Sequence, residues 1–111
     1  MRIDKNRLEQ LNHLMTAQGW DLLLLYGHTW RKDFFRCLVN VNFSGPHAVA
    51  GVDRSGAVHV IVSDPWDLEA FAKDDNVSFA PDFAAGIGNL VAASGSKCAA
   101  TVPLHCHNDY L

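Results

Sequence analysis

The sequence lacks a hydrophobic segment of membrane-spanning length. Its longest run of large aliphatic residues, Leu22 to Leu25, is far shorter than the roughly 20 apolar residues that cross a bilayer. The amino-terminal residues Met1 to Lys5 contain no apolar stretch of the kind that signal peptides carry. From these absences we expect a cytoplasmic protein without a membrane partner.

Cysteine and positive charge are also scarce. Cys37, Cys98 and Cys106 are odd in number and show no Cys-x-x-Cys spacing, which indicates neither a disulfide framework nor a zinc knuckle. Nine Lys and Arg residues stand against twelve Asp and Glu residues, and the net charge is −3. The basic residues are scattered, apart from the pair Arg31 and Lys32. We therefore expect free thiols and no nucleic-acid partner.

What is present is ordinary globular composition. The 111 residues are 49% hydrophobic and 19% charged, which excludes a disordered chain, a collagen-like chain and a coiled coil. A chain of this length buries roughly 65% of its unfolded surface, enough for one core. We expect residues 1–111 to form one domain, with no room for a second, catalytic one.

The first part of the chain predicts a helix followed by a buried strand. Asn6 and Glu9 have the spacing of a capping box. Leucines and a methionine then recur at helical spacing, and Gly19 supplies a left-handed helix end. The segment from Asp21 to Tyr26 is a short apolar run closed by a glycine, which is typical of a strand buried on both faces.

The middle of the chain predicts a second helix and a hairpin. From Thr29 to Val39 the large apolar residues fall on one side of a helical wheel and the basic residues lie elsewhere. The segments 48–52 and 57–62 are strand-like and flank the turn-forming residues 53–56. The two strands are therefore expected to pair through a tight turn.

The last part predicts two more helices, each followed by a strand. Asp64 precedes Pro65 in the arrangement of a helix start, with Leu68, Phe71 and Ala72 on the inner face of a short helix. A brief strand is expected over 77–80. Asp82 then caps a helix that ends near Gly95, and a final strand runs from Cys98 to Val102. This order predicts a three-layer α/β/α domain with a mixed sheet.

No motif assembles a self-sufficient active site. The segment from His105 to Asp109 is the only dense group of metal-ligand types, but zinc would need further ligands from elsewhere, so a polar tail is the preferred interpretation. Gly86 and Gly88 fall inside a helical pattern, where close helix packing explains them better than a phosphate loop. We assign no catalytic residue and no metal ligand in this chain.

The segment from Trp30 to His47 is the best candidate binding surface. It combines aromatic residues with cations, a composition enriched at binding surfaces. Core packing is the competing interpretation for Phe34 and Phe35, whereas Trp30 and Phe43 lie near the ends of predicted elements and are expected to be exposed. The candidate substrate-access residues are Trp30, Arg31, Phe34, Phe35, Phe43 and His47.

The pattern of the first two elements resembles a known family. The apolar spacing from Arg7 to Met15, followed by Gly19-Trp20-Asp21-Leu22-Leu23-Leu24-Leu25, an aromatic segment and the hairpin, resembles the N-terminal domain of the creatinase, prolidase and aminopeptidase P family. In that family a helix ending in Gly precedes a strand of the form hydrophobic-Asp-Ala-Leu-Leu-hydrophobic. The resemblance covers residues 3–102 and consists of hydrophobic patterns.

The resemblance implies a partner domain. It implies that this domain precedes a C-terminal pita-bread catalytic domain of the same chain, in which Asp, Asp, His, Glu and Glu hold two divalent metal ions, manganese, cobalt or zinc. No residue of the present chain takes a metal role. The family's N-terminal domain contributes to homo-oligomer contacts and to the substrate entrance. On this interpretation residues 1–111 are one domain of a larger protein.

Two departures from the family pattern qualify this interpretation. Asp33-Phe34-Phe35 resembles the Asp-Phe-aromatic part of the family's entrance segment, but residues 36–39 replace its usual Tyr-Leu-Thr-Gly. Gly45 stands where creatinase-like members place a substrate-binding arginine, and a substrate carboxylate would lose its bidentate partner there. The second departure argues against creatinase itself.

Two functions follow from these observations. The first is a non-catalytic N-terminal domain of a metal-dependent Xaa-Pro peptidase, of the aminopeptidase P or prolidase type, that shapes substrate access and oligomer assembly. In it, Trp30, Arg31, Phe43 and His47 would form a rim around the entrance. The alternative is a free-standing α/β module that uses the same segment to bind a protein partner.

Overall fold

The chain folds as a five-stranded mixed sheet with helices on both faces. The computed structural model describes residues 3–28, 30–41, 43–70, 76–95 and 99–102. In chain order the elements are α1 (Lys5–Gln18), β1 (Leu22–His28), α2 (Asp33–Arg36), β2 (His47–Asp53), β3 (Val58–Val62), α3 (Asp67–Ala70), β4 (Val77–Phe79), α4 (Phe83–Ser94) and β5 (Ala99–Val102).

The strand order is β4-β3-β2-β1-β5. Strand β2 is antiparallel to both of its neighbours, whereas β4 runs parallel to β3 and β5 runs parallel to β1. Four strands therefore point in one direction, and their carboxyl ends meet at one edge of the sheet. We call this the carboxyl edge. The expectation of an α/β domain with a mixed sheet is confirmed.

Helix α1 begins at a different residue from the one that the sequence indicated. The Asp4 carboxylate accepts a hydrogen bond of 2.9 Å from the Arg7 backbone N–H, so Asp4 is the N-cap and the expected cap at Asn6 is wrong. Asp4 is extended and precedes the first turn, where its carboxylate can satisfy a free N–H group, whereas Asn6 already lies inside the helix. The predicted left-handed end at Gly19 is confirmed.

Strand β1 is buried on both faces, as its sequence predicted. Leu23 and Leu25 pack with α1 and α2 in one core, and Leu22 and Leu24 pack against α4 in the other. Burial of each of these leucines contributes about 2 kcal/mol of hydrophobic stabilisation. The strand thus joins the two helical layers through the sheet.

Helix α2 is much shorter than predicted. The expected helix over 29–39 reduces to Asp33–Arg36. His28 and Arg31 exchange two backbone hydrogen bonds of 2.9 and 3.0 Å, which form a tight turn where the helix was expected to begin. At the carboxyl end of the predicted helix, Val39 forms an isolated antiparallel β-bridge with Ile3. The helical spacing of the large residues therefore reflects burial within a short helix and its flanking turns.

The hairpin forms with the predicted turn. The Asp53 carboxylate accepts hydrogen bonds from the Ser55 N–H, the Ser55 hydroxyl and the Ala57 N–H, and Gly56 takes a positive φ of 87°. Burial by itself would raise the pKa of the Asp53 carboxyl, but the donors on Ser55 and Ala57 outweigh it. The net effect is a pKa below the usual range.

The second half follows the predicted order of elements. The short helix, the strand over 77–79 and the helix capped by Asp82 are present, and the Asp82 carboxylate accepts a 3.1 Å bond from the Ala85 N–H. Phe71, Ala72 and Cys98 lie outside the described residues. None of the helices in the described ranges is long and apolar enough to cross a membrane.

The two glycines of α4 have different environments. A Cβ on Gly86 would lie 2.6 Å from the Cβ of Ala80, whereas a Cβ on Gly88 would meet no atom within 4 Å. Close packing, expected for both glycines, is therefore confirmed at Gly86 and wrong at Gly88, because Gly88 lies on the exposed side of the helix.

These environments give a matched pair of substitutions. Gly88→Ala should raise the free energy of unfolding by about 0.5 to 1 kcal/mol, because alanine restricts the unfolded chain and favours helix. Gly86→Ala should lower it, because overpacking costs about 1 to 3 kcal/mol and exceeds the gain in helix propensity. Urea denaturation of both variants measures the difference, and equal effects at the two sites would contradict the packing.

The lowered pKa of Asp53 predicts a contribution to acid stability. A carboxyl whose folded pKa is depressed stabilises the fold above its unfolded pKa of about 3.9, and this contribution disappears as the pH falls through the folded pKa. Asp53→Asn should therefore reduce stability at neutral pH and show a shallower decline below about pH 4. Ser55→Ala removes one of the donors to Asp53, so its stability and its decline with pH should lie between those of the wild type and Asp53→Asn. Denaturation curves across this pH range test the prediction, which fails if the wild type and Asp53→Asn decline in parallel.

Candidate functional site at the carboxyl edge of the sheet

Four rings gather where β1 and β3 end and α4 begins. Tyr26 and His28 lie two residues apart on β1 and share a face, and the antiparallel register between β1 and β2 places His47 directly opposite His28. Tyr26 lies 5.9 Å from His28 and 5.6 Å from His47, between ring centroids. Phe83 stacks on His47 at 5.4 Å. We call these four residues the ring cluster.

Hydrogen bonds orient both imidazoles of the ring cluster. The Tyr26 hydroxyl is hydrogen-bonded to Nδ1 of His47. The backbone N–H of Trp30 donates to Nδ1 of His28 at 3.2 Å. Burial raises the pKa of the Tyr26 hydroxyl above its ordinary value, so the phenol is neutral at physiological pH and keeps its proton. Each imidazole is therefore held through Nδ1.

The backbone of His47 is fixed by Ser63. The Ser63 hydroxyl accepts from the His47 N–H at 3.0 Å and donates to the His47 carbonyl oxygen at 3.0 Å. The Ser63 N–H donates to the same oxygen at 3.1 Å. Because these bonds occupy the hydroxyl, Ser63 positions the start of β2, and no base among the described residues accepts from it.

A buried carboxylate holds the loop that leads into His47. Asp67 is 2% exposed and accepts hydrogen bonds from the Ser44 N–H at 2.7 Å, the Ser44 hydroxyl at 2.9 Å and the Gly45 N–H at 2.9 Å. A Cβ on Gly45 would lie 2.5 Å from the Cβ of Asp64. Position 45 therefore has no room for a side chain in this fold.

Four of the sequence-predicted site residues reach the surface. Trp30 is 90% exposed, and Phe34 and His47 are half-buried. Arg31 is also half-buried, with its Nε 3.7 Å from the Asp33 carboxylate and its guanidinium 5.2 Å from the centre of the Phe34 ring. A cation held over an aromatic face by a neighbouring carboxylate has a restricted orientation.

Phe35 and Phe43 do not belong to the surface. Both are fully buried, and their rings pack edge to face at 5.2 Å beneath Gly27. The Lys32 ammonium donates to the Phe43 carbonyl oxygen at 2.6 Å and lies 4.8 Å from the centre of its ring. The expectation that Phe43 is exposed is wrong, because the loop carrying it folds back over β1 and buries the ring in the core.

Several residues at this edge were missed from the sequence. Trp66 follows β3 and is 76% exposed, and Tyr26, His28 and Phe83 complete the ring cluster. Extending the first predicted strand by two residues would have placed Tyr26 and His28 on one face and opposite the hairpin. For Trp66, the sequence indicated only that it lies next to a helix start, and nothing in the pattern predicted its exposure.

The carboxyl edge presents aromatic rings and hydrogen-bonding groups. Among the described residues no three His, Cys, Asp or Glu side chains come together to hold a metal ion, and the segment from His105 to Asp109 lies outside them. The Cys37 thiol donates to the Phe34 carbonyl oxygen at 3.0 Å, and burial raises its pKa, which disfavours the thiolate. Exposed indole rings and imidazole N–H groups remain as binding groups.

Comparison of the chain with protein-family models, with curated proteins and with solved structures gives no match.

The environment of Tyr26 predicts a high titration midpoint. The chain contains two tyrosines, so Tyr110→Phe leaves Tyr26 as the only phenol. In that variant the absorbance change of phenol ionisation should have its midpoint above about 10, because burial favours the neutral form. The Tyr26→Phe variant, which keeps Tyr110, provides the comparison. A midpoint for Tyr26 at or below that of Tyr110 would contradict the packing of the ring cluster.

Because the Asp67 carboxylate accepts three hydrogen bonds in a buried site, we expect substitution of Asp67 to destabilise the fold. Asp67→Asn should lower the free energy of unfolding by about 2 kcal/mol, because one carboxylate oxygen becomes an NH₂ group that faces an N–H donor in a buried site. Asp82→Asn is the matched control and should be nearly neutral, since Asn and Asp are comparable N-caps. Chemical denaturation measures the free energy of unfolding of both variants. Equal decreases in the two variants would contradict the stabilising role of the Asp67 hydrogen bonds.

Proposed function

We propose that this chain is a non-catalytic recognition domain and that its carboxyl edge receives the ligand or partner. The single observation that carries the proposal is the exposure of two tryptophans, Trp30 and Trp66, at the same edge of the sheet. They lie after the carboxyl ends of β1 and β3, which is where open α/β sheets bind their ligands.

Exposed tryptophans are costly for a small domain. Each indole presents a large apolar surface to water, and contiguous exposed apolar surface commonly marks an interaction site. Tryptophan is also enriched among the residues that contribute most to binding. At the same edge the ring cluster places imidazoles beside apolar rings.

We further propose that the domain serves substrate access and assembly in a metal-dependent Xaa-Pro peptidase. The support is the order of elements together with the exposed entrance segment, in which Trp30, Arg31 and His47 reach the surface. In this role the three side chains line the entrance to a metal centre on a separate pita-bread domain and limit the length of the substrate. Phe43 contributes by packing beneath the loop instead of contacting substrate.

A free-standing protein-binding module is the second candidate, and Trp66 favours it. Trp66 lies outside the segment 30–47 that resembles the family's entrance, yet it is one of the most exposed apolar side chains. Reading the coding sequence beyond Leu111 separates the two candidates. Five metal-ligand positions of a pita-bread domain would support the peptidase parent, and a frame without them would support the module.

The entrance role predicts the behaviour of variants in the full-length parent. Trp30→Ala and Arg31→Ala should each lower kcat/KM for Xaa-Pro peptides by about tenfold, because truncation of a contacting tryptophan or arginine commonly costs more than 1 kcal/mol of binding. Leu14→Ala is the control, since Leu14 is a partly exposed apolar residue on α1. Specificity constants that stay at the wild-type value over a peptide panel would refute the entrance role.

A further inference from the structure

A cleft opens between α4 and the edge strand β4. Near its start the helix lies close to the end of β4, since a Cβ on Gly86 would come within 2.6 Å of the Cβ of Ala80. One turn later Leu90 lies over β2, where a Cβ on Gly51 would come within 2.7 Å of Cδ2 of Leu90. The helix therefore diverges from β4 as it crosses the sheet, and a cleft of about 370 Å³ lies between them.

Polar side chains line this cleft from both sides. His59 and Ile61 lie two residues apart on β3, and Ile61 packs on the α4 side of the sheet. The parallel register places Ser78 of β4 beside Ile61, and Asn76 lies two residues earlier. Asn89 lines the cleft from α4. Two carboxamides, a hydroxyl and an imidazole therefore border one cavity.

The remaining wall of the cleft is apolar. Ile61, Ala80 and Leu90 belong to the core between the sheet and α4, and they also line the cleft. None of the described lining residues is Lys, Arg, Asp or Glu. The Asp53 carboxylate lies 3.5 Å from Nε2 of His59, but it accepts hydrogen bonds within the hairpin turn. A charged ligand would lose hydration here without gaining an opposite charge, so the cleft favours a neutral ligand.

Two of the polar groups are available to a ligand. No hydrogen bond in the described part of the chain engages the Ser78 hydroxyl or the Asn89 carboxamide. A carboxamide presents a donor and an acceptor side by side, and its complement is an amide edge with the same pair. A hydroxyl can donate or accept next to it. The volume lies near the lower end of the range for ligand pockets, about 300 to 1,000 Å³, and so suits a small molecule.

We infer that this cleft binds a small neutral molecule that carries an amide-type edge on a flat ring, the chemistry of a nucleobase such as uracil. The ring lies against Ile61 and Leu90, and its N–H and C=O groups pair with Asn89 and Ser78. The cleft shares no residue with the ring cluster. The inference therefore goes beyond the proposed function and does not depend on it.

The test is a titration of the ¹⁵N-labelled chain followed by NMR. Uracil is compared with 1,3-dimethyluracil, in which methyl groups replace both N–H donors, and with glucose, a neutral polyol. Uracil should shift the backbone signals of Ile61 and Ser78 and the side-chain NH₂ signals of Asn89 in a saturable way. 1,3-Dimethyluracil should bind about tenfold more weakly, because it leaves polar groups of the cleft unpaired. The NH₂ signals of Asn40, which follows α2 on the other side of the sheet, should not respond.

Variants locate the site within the fold. Ser78→Ala and Asn89→Ala should each weaken uracil binding by about three- to tenfold, because each removes one hydrogen-bonding group. Ser94→Ala is the matched control on α4, since Ser94 lies outside the cleft and its hydroxyl donates to the Val91 carbonyl oxygen. Binding that is unchanged in both Ser78→Ala and Asn89→Ala would contradict the proposal.

Three results with the wild type would also overturn it. The first is the absence of a saturable response to uracil. The second is equal binding of 1,3-dimethyluracil, which would show that only apolar contact is involved. The third is a response of the cleft to glucose without one to uracil. These comparisons remain informative if a variant does not fold.

Discussion

Burial of β1 on both faces is the constraint on which the other layers depend. Its leucines alternate between two cores. Helices α1 and α2 therefore lie on one side of the sheet, and α4 lies on the other. The strand also pairs with β2 on one side and β5 on the other, which leaves no part of it facing solvent except its carboxyl end. Tyr26 and His28 stand at that end, so the proposed recognition surface begins where the fully buried part of the strand stops.

The geometry of the carboxyl edge is a consequence of two long-range contacts. The antiparallel register between β1 and β2 brings His47 opposite His28, and the bonds from Asp67 to Ser44 and Gly45 hold the loop that leads into β2. A shift of the register by one residue would turn His47 to the opposite face of the sheet. The ring cluster therefore depends on the same interactions that close the sheet.

The resemblance to the creatinase, prolidase and aminopeptidase P family rests on hydrophobic spacing, which governs packing. Such patterns constrain the order of helices and strands and say little about which polar groups face a ligand. The proposed access role consequently depends on Trp30, Arg31 and His47, whose exposure is observed, and less on Phe35 and Phe43, which the fold buries. Those two rings pack against each other in the core.

Local sequence determined the elements whose signals lie within a few residues. The apolar strand β1, the turn at Asp53, the Asp82 cap and the left-handed Gly19 could all be predicted, because each depends on neighbouring backbone and side-chain groups. Tertiary structure alone decided the length of α2, the burial of Phe43 and the assembly of the ring cluster. These features depend on which distant segment covers a residue. Alternating or helical spacing indicates which side chains are buried, but it does not indicate which segment packs against them.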